Sequence, residues 1–148
     1  MNTFLPYPDF TASARALDYR RLGKQRIEAK QIYETLAGFK KGWRHHPAVK
    51  MWKGCAYQLL VYGSVMCDEW RRRGYVDNLG LWFWLARQQE MIQPLAIWNT
   101  KPAWLGDPLF HASHRSNLLR KDSGWYGQFG WTEAPDMRYV WPCVQEVF

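Results

Sequence analysis

Glu28 stands in the run Arg20-Arg21-Leu22-Gly23-Lys24-Gln25-Arg26-Ile27-Glu28, a carboxylate preceded by four cations. At about 100° per residue it shares a stripe with Arg21, Gln25 and Ile32, beside the apolar stripe of Leu22, Ala29, Tyr33 and Leu36. A carboxylate at the edge of a core face suits proton transfer or the stabilisation of developing positive charge. The same position also suits an ion pair with Lys24, one turn earlier. Spacing alone favours the ion pair.

Four histidines invite a metal reading: His45 and His46 in one loop, His111 and His114 on one predicted helix face. No carboxylate or thiol joins them at a recognised ligand spacing, so positioning or phosphate contact is the expected role and no metal is expected. Cys55, Cys67 and Cys143 are widely spaced and have no adjacent base; they read as reduced, mostly buried thiols. The sequence holds no glycine-rich phosphate loop and no nucleophile elbow, which removes nucleotide-dependent and serine-hydrolase chemistry. The run His114-Arg115-Ser116-Asn117-Leu118-Leu119-Arg120-Lys121 is basic on one side and apolar on the other, with Trp125, Tyr126 and Phe129 behind it. Cations of this kind neutralise phosphates and the aromatics can buttress or stack on bases; an ordinary amphipathic helix with a packed aromatic tail fits equally well.

Composition narrows the partners. The net charge is +7 and the pI about 9.5. Ten Trp, eight Tyr and seven Phe exceed what a core of 148 residues needs, so some aromatics should line a groove. A basic, aromatic-rich chain with no amphipathic anchor points to nucleic acid rather than a membrane surface. The start of the chain, with Pro6, Pro8 and Asp9, has no secretory apolar run, and no stretch has the length of a membrane span; a cytoplasmic protein is expected, at the nucleoid when bound to DNA.

The elements that must position these residues are helical. Pro6 and Pro8 keep Met1 to Phe10 extended or turning, an arm free to carry the amino terminus across the surface. Asp18 caps a helix running to Leu36, with Gly38 as its stop and Gly23 as a weak point where it can bend. Lys40 to His46 is a basic loop. Pro47 opens a further helix whose apolar spacing, from Ala56 to Trp70, runs up to Arg71-Arg72-Arg73 and Gly74, read as a solvated helix end. Leu79 to Ile92 reads as an aromatic-rich helix, and residues 93–106 as an irregular connection with exposed tryptophans. Asp107-Pro108 opens a last helix to about Lys121. Strand signals are few. The expectation is an all-α fold: one compact helical-bundle domain over 1–148, with an extended N-terminal arm.

The ordered pieces carry a resemblance. Leu17-Asp18, Leu22, Arg26-Ile27-Glu28-Ala29, then Gly42-Trp43-Arg44-His45-His46-Pro47 and Arg73-Gly74-Tyr75 resemble the pyrimidine-dimer DNA glycosylases of the endonuclease V type. The segments HRSNLLRKD and WYGQF are similar to the basic-then-aromatic tail of phage members. The resemblance spans roughly Thr3 to Trp131. It implies a compact all-α repair enzyme acting on duplex DNA with damaged or abasic sites, as a monomer and without cofactor. It further implies that the α-amine at the chain start attacks C1′ of the damaged nucleoside, most characteristically of a cyclobutane pyrimidine dimer. An imine forms and the strand is then cut by β-elimination.

On this resemblance Glu28 is the catalytic glutamate, and Arg26, Arg115 and Lys121 match the residues that hold the backbone. Arg21, Lys24, Arg44, His45, His46, Arg120, Trp125 and Tyr126 complete the expected DNA-contacting set. An α-amine titrates near about 7.7–8.0, against about 10.4 for lysine, so it is the readier imine-forming nucleophile at neutral pH.

Two positions depart from the family pattern. Relatives with a small second residue lose the initiator Met, whereas Asn2 is processed poorly; the nucleophile is therefore the amine of Met1, that of Asn2, or Lys24. The family's aromatic-Arg-Glu motif reads Arg26-Ile27-Glu28, which turns the arginine about a quarter of the way round the helix. Rival readings are a non-catalytic nucleic-acid-binding module and a histidine-dependent metal nuclease.

Overall fold

The computed structural model describes residues 1–93 and 101–142. In this range the chain forms α1 (Phe10–Ala16), α2 (Tyr19–Leu36), α3 (Pro47–Lys50), α4 (Ala56–Arg72), α5 (Gly80–Ile92), α6 (Pro108–Lys121) and α7 (Ser123–Tyr126). A single 3-10 turn follows at Gly127–Phe129, and no strand occurs among the described residues. The fold is all-α.

Local chemistry fixes most of the boundaries. Asp9, Asp107 and Asp122 cap α1, α6 and α7, each side chain accepting from a backbone N–H two or three residues on. Pro47 and Pro108 sit at helix starts, where a missing N–H costs nothing. Gly38 and Gly74 follow the ends of α2 and α4 at φ +88° and +93°, a region closed to most side chains. The helix predicted to open at Pro47 is two helices: a turn through Gly54, at φ +83°, separates α3 from α4.

α4 is the central element and packs on α2, α5 and α1. Two glycines let the helices approach. A Cβ on Gly63 would fall 2.2 Å from the Phe83 ring, which sets the α4–α5 contact. A Cβ on Gly23 would lie 3.0 Å from the Trp70 ring, so this glycine serves the α2–α4 packing, and α2 continues unbroken through it. One apolar cluster runs through Leu17, Leu22, Ile32, Trp52, Leu60, Tyr62, Phe83, Phe110, Leu118 and Tyr126. Trp104, expected at the surface, is buried edge-on against Trp52, and its indole N–H donates to Met51 O at 2.8 Å. The aromatic Trp98 and the thiol Cys143 lie outside the described residues. Cys67 is buried, and Cys55 half-buried; both are free thiols.

The N-terminal arm corrects the largest expectation. Asn2, Thr3, Phe4 and Leu5 are all buried rather than spread over the surface. Phe4 and Leu5 supply apolar area to the core, and side chains from three helices satisfy the backbone groups that burial would otherwise leave unpaired.

Candidate active site

The arm is gripped in two places. α6 brackets Leu5: its N–H donates to His114 Nδ1 at 2.9 Å, and its C=O meets His111 Nδ1 at 2.8 Å. These contacts fix the tautomers. His114 accepts at Nδ1; His111 donates from Nδ1 while its Nε2 accepts from Gly106 N–H at 2.9 Å. Both rings are neutral in this arrangement. Burial is the main cause that pushes His114 down to about 3, with repulsion from His111 adding were both rings protonated, and burial also lowers His111. The histidines of α6 thus position backbone.

α2 grips the other end. Asn2 N–H donates to Glu28 Oε2 at 2.7 Å, and Asn2 C=O accepts from Gln25 Nε2 at 3.0 Å. Gln25 Oε1 takes Phe4 N–H at 2.8 Å, and the Tyr62 hydroxyl from α4 reaches both that oxygen and Phe4 C=O. Thr3 is held from each side, its N–H on Asn2 Oδ1 and its hydroxyl accepting from Trp52 Nε1. The helix-face ion pair expected between Glu28 and Lys24 is not formed among the described residues; the carboxylate is turned to the arm instead.

Asn2 and Glu28 open on a cleft of about 360 Å³, with Met1, Phe4, Arg20, Arg21, Lys24, Gln25, Lys121 and Tyr139 as its remaining walls. Four cations surround one carboxylate, so the cleft attracts polyanions. Desolvation at the cleft wall, helped by the charges of Arg21, Arg120 and Lys24, holds Lys121 below the ordinary lysine range. Arg21 is oriented by Asp18 at 3.1 Å. A second cleft of about 600 Å³ shares Arg20 with the first. Its walls combine Arg15, Arg72 and Arg73 with Tyr19, Tyr75, Trp125 and Phe129.

The other residues expected on DNA divide into three groups. Arg44 and His45 are exposed on the loop before α3, with Arg44 Nε donating to His45 Nε2 at 3.1 Å. His46 caps α3 through Nδ1 and packs between Trp43 and Trp141. Burial lowers its basicity first, and the nearby amino-terminal charge adds to this. Arg120 is exposed but held by Asn117 and by Pro135 C=O, outside the first cleft.

Three expectations fail on packing. Arg26 is buried, its guanidinium 2.6 Å from Asp77 and 4.5 Å over the Trp70 ring of α4, and it does not line the cleft. Arg115 forms a two-pronged pair with Glu133 and donates to Pro6 C=O, so it ties the tail to the arm. Tyr126 is fully buried under Trp131, with its hydroxyl on Asp18, and has no face for a base; Trp125 keeps an exposed edge. The arginine run at the end of α4 is solvated as expected at Arg71 and Arg72, while Arg73 is half-buried; Arg72 and Arg73 both clamp Glu69. Burial pushes that carboxyl up, but the two guanidinium groups outweigh it and hold it below its usual range.

Residues that the sequence left unassigned prove central to the site. Gln25 was visible only as a neighbour of Glu28 on one stripe. Tyr62 and Tyr139 gave no signal, since an aromatic in a helix or tail is ordinarily core. Among the described residues no group of three or more His, Cys, Asp or Glu is placed to hold a metal ion. None of the described helices is long and apolar enough to cross a membrane.

A helical frame that sets a buried backbone nitrogen against a carboxylate, in a basic cleft that shares Arg20 with an aromatic one, suits a protein that acts on nucleic acid. The family model for pyrimidine dimer DNA glycosylase matches residues 1–82, more than half of the chain, and the chain belongs to that family. It is therefore a DNA-repair glycosylase with DNA as its substrate. The matched part contains Asn2, Gln25, Glu28 and Tyr62. No curated protein and no solved structure matches the chain.

Proposed function

We propose that this glycosylase couples base excision to strand cleavage, through an imine between its amino terminus and C1′ of the damaged nucleotide. Its lesion in this reading is the cyclobutane pyrimidine dimer, in duplex DNA. The observation that carries the proposal is the 2.7 Å bond from Asn2 N–H to Glu28 Oε2. Although Asn2 slows removal of Met1, that removal turns the amide nitrogen into an α-amine at the position where it meets the carboxylate. An amide is not nucleophilic; a free α-amine, with a reference pKa of about 7.7–8.0, is.

The steps follow from that pair. The amine nitrogen forms a bond to C1′ as the C1′–N1 bond breaks, and the pyrimidine leaves with the bonding electrons. The Glu28 carboxylate offsets positive charge developing at C1′ and O4′, then accepts a proton from the nitrogen. Cleavage of the C1′–O4′ bond, with a proton to O4′, gives the imine. Loss of a C2′ proton expels the 3′ phosphate by β-elimination, and water hydrolyses the imine to free the amine. Arg21, Lys24 and Lys121 would hold phosphates around the reacting sugar. No step calls for a metal or an organic cofactor.

Borohydride added during incubation with UV-irradiated or abasic duplex reduces the imine to a stable adduct. Mass spectrometry should map that adduct to the nitrogen of Asn2, in protein lacking Met1. An adduct on Met1 or on Lys24 overturns the assignment of the nucleophile, and no adduct at all overturns the lyase reading.

A further inference from the structure

Residue 2 is held at both its backbone groups by one helix. Glu28 takes its N–H, and Gln25, one turn earlier on α2, takes its C=O. The same Gln25 amide also accepts from Phe4 N–H, so a single side chain spans the backbone on either side of Thr3. Gln25 is only 1% exposed, and Tyr62 closes over its oxygen from α4. Shifting the arm by one residue would leave this buried amide without matching partners, which an interior site does not tolerate.

We propose that Gln25 is a positioning residue: it sets the register of the arm, so that the nitrogen of residue 2, and of no other residue, rests on Glu28. Gln25 does not touch the reacting atoms and acts through Asn2. The inference rests on the reading that this nitrogen and Glu28 form the reacting pair. Register is chosen by side-chain hydrogen bonds because, among the described residues, the arm has no neighbouring strand whose ladder could fix it. Tyr62 supports the same amide from behind and is its only helper on α4 among the described residues.

The test compares wild-type protein with Gln25→Met, which keeps length and volume but loses both hydrogen-bonding ends, and with the milder Tyr62→Phe. Three quantities are read on abasic duplex: the single-turnover rate of borohydride-trapped adduct, the Kd for the duplex without borohydride, and the folded fraction by circular dichroism. Gln25→Met should lower the trapping rate on the order of 10- to 100-fold, the scale of a misplaced reacting group. Its Kd should stay within about twofold of wild type, since no phosphate contact is lost. Tyr62→Phe should lower the rate by a few-fold, again at unchanged Kd.

If Gln25→Met does not fold, the Tyr62→Phe result decides. Trapping as fast as wild type in the folded variants overturns the inference while leaving the amine–Glu28 reading intact. Parallel losses in rate and affinity overturn it in favour of a purely structural role. Wild-type protein that traps no adduct removes the underlying reading, and the inference with it.

Discussion

The backbone nitrogen of Asn2 lies 2.7 Å from the carboxylate of Glu28, 26 residues away in sequence, and the two meet at the floor of a basic cleft. If Glu28 does acid–base work there, Glu28→Gln should cut turnover on UV-irradiated duplex by on the order of 10²-fold or more. The amide can still bond the arm, so affinity for abasic DNA should stay near wild type. Steady-state cleavage together with equilibrium binding checks this; full activity in the variant removes Glu28 from the mechanism.

An uncleaved tag before Met1, or chemical acetylation of the terminal amine, should abolish borohydride trapping while DNA binding largely persists. Lys24→Ala should still form the adduct, because the nitrogen that meets Glu28 belongs to the arm and not to Lys24. A tagged protein that traps as well as the untagged one would make Lys24 the first residue to examine.

Salt dependence separates cleft cations from structural ones. Arg21→Ala and Lys121→Ala should each flatten the log–log dependence of affinity on salt by about one phosphate contact. Arg115→Ala should leave that slope unchanged, since its guanidinium is committed to Glu133 and Pro6. Arg26→Ala should also leave it unchanged, yet destabilise the fold by about 1.5–3 kcal/mol, the scale of a lost charged hydrogen bond, because Asp77 keeps Arg71 and the N–H groups of Leu79 and Gly80. Titrations at three or more salt concentrations, paired with urea unfolding, give both quantities.

Stability should fall as pH drops from 7 to 5. His114 is pushed down to about 3 by burial and His111 is lowered by the same cause, against an ordinary 6.5. Below 6.5 the unfolded chain binds protons that the folded chain refuses. For His114 the stabilisation is therefore complete above 6.5 and declines toward about 3, by about 1.4 kcal/mol per pH unit, and the lowered His111 adds in the same direction. Asp18, Glu69 and Asp77 are lowered carboxyls whose contributions are lost only below the usual carboxylate range, outside this window. His114→Asn, which keeps an acceptor for Leu5 N–H, should remove one proton from the slope. A profile flat between pH 5 and 7 would contradict the neutral-histidine bracket.

Local order was written in the sequence. Gly38 ends α2, Asp107 and Pro108 open α6, and the residue spacing puts Glu28 at the edge of a buried face. Those features depend on neighbours within a turn or two, whose geometry the helix itself dictates. Asp18 precedes α2 but makes no cap bond, its carboxylate going to Arg21 and Tyr126. The ordered motifs pointed to the family whose model matches residues 1–82. Tertiary structure decided what each side chain meets. Glu28 turned from Lys24 to the arm, Arg26 found Asp77 across 51 residues, Arg115 found Glu133, and Tyr126 went under Trp131. The arm shows why: two prolines announce an extended segment, but nothing in ten residues says which surface it lies on. Apart from Pro6 and Pro8, its residues all offer the same backbone N–H and C=O, and the side chains converging from α2, α4 and α6 take Leu5 for the histidines and residue 2 for Gln25 and Glu28.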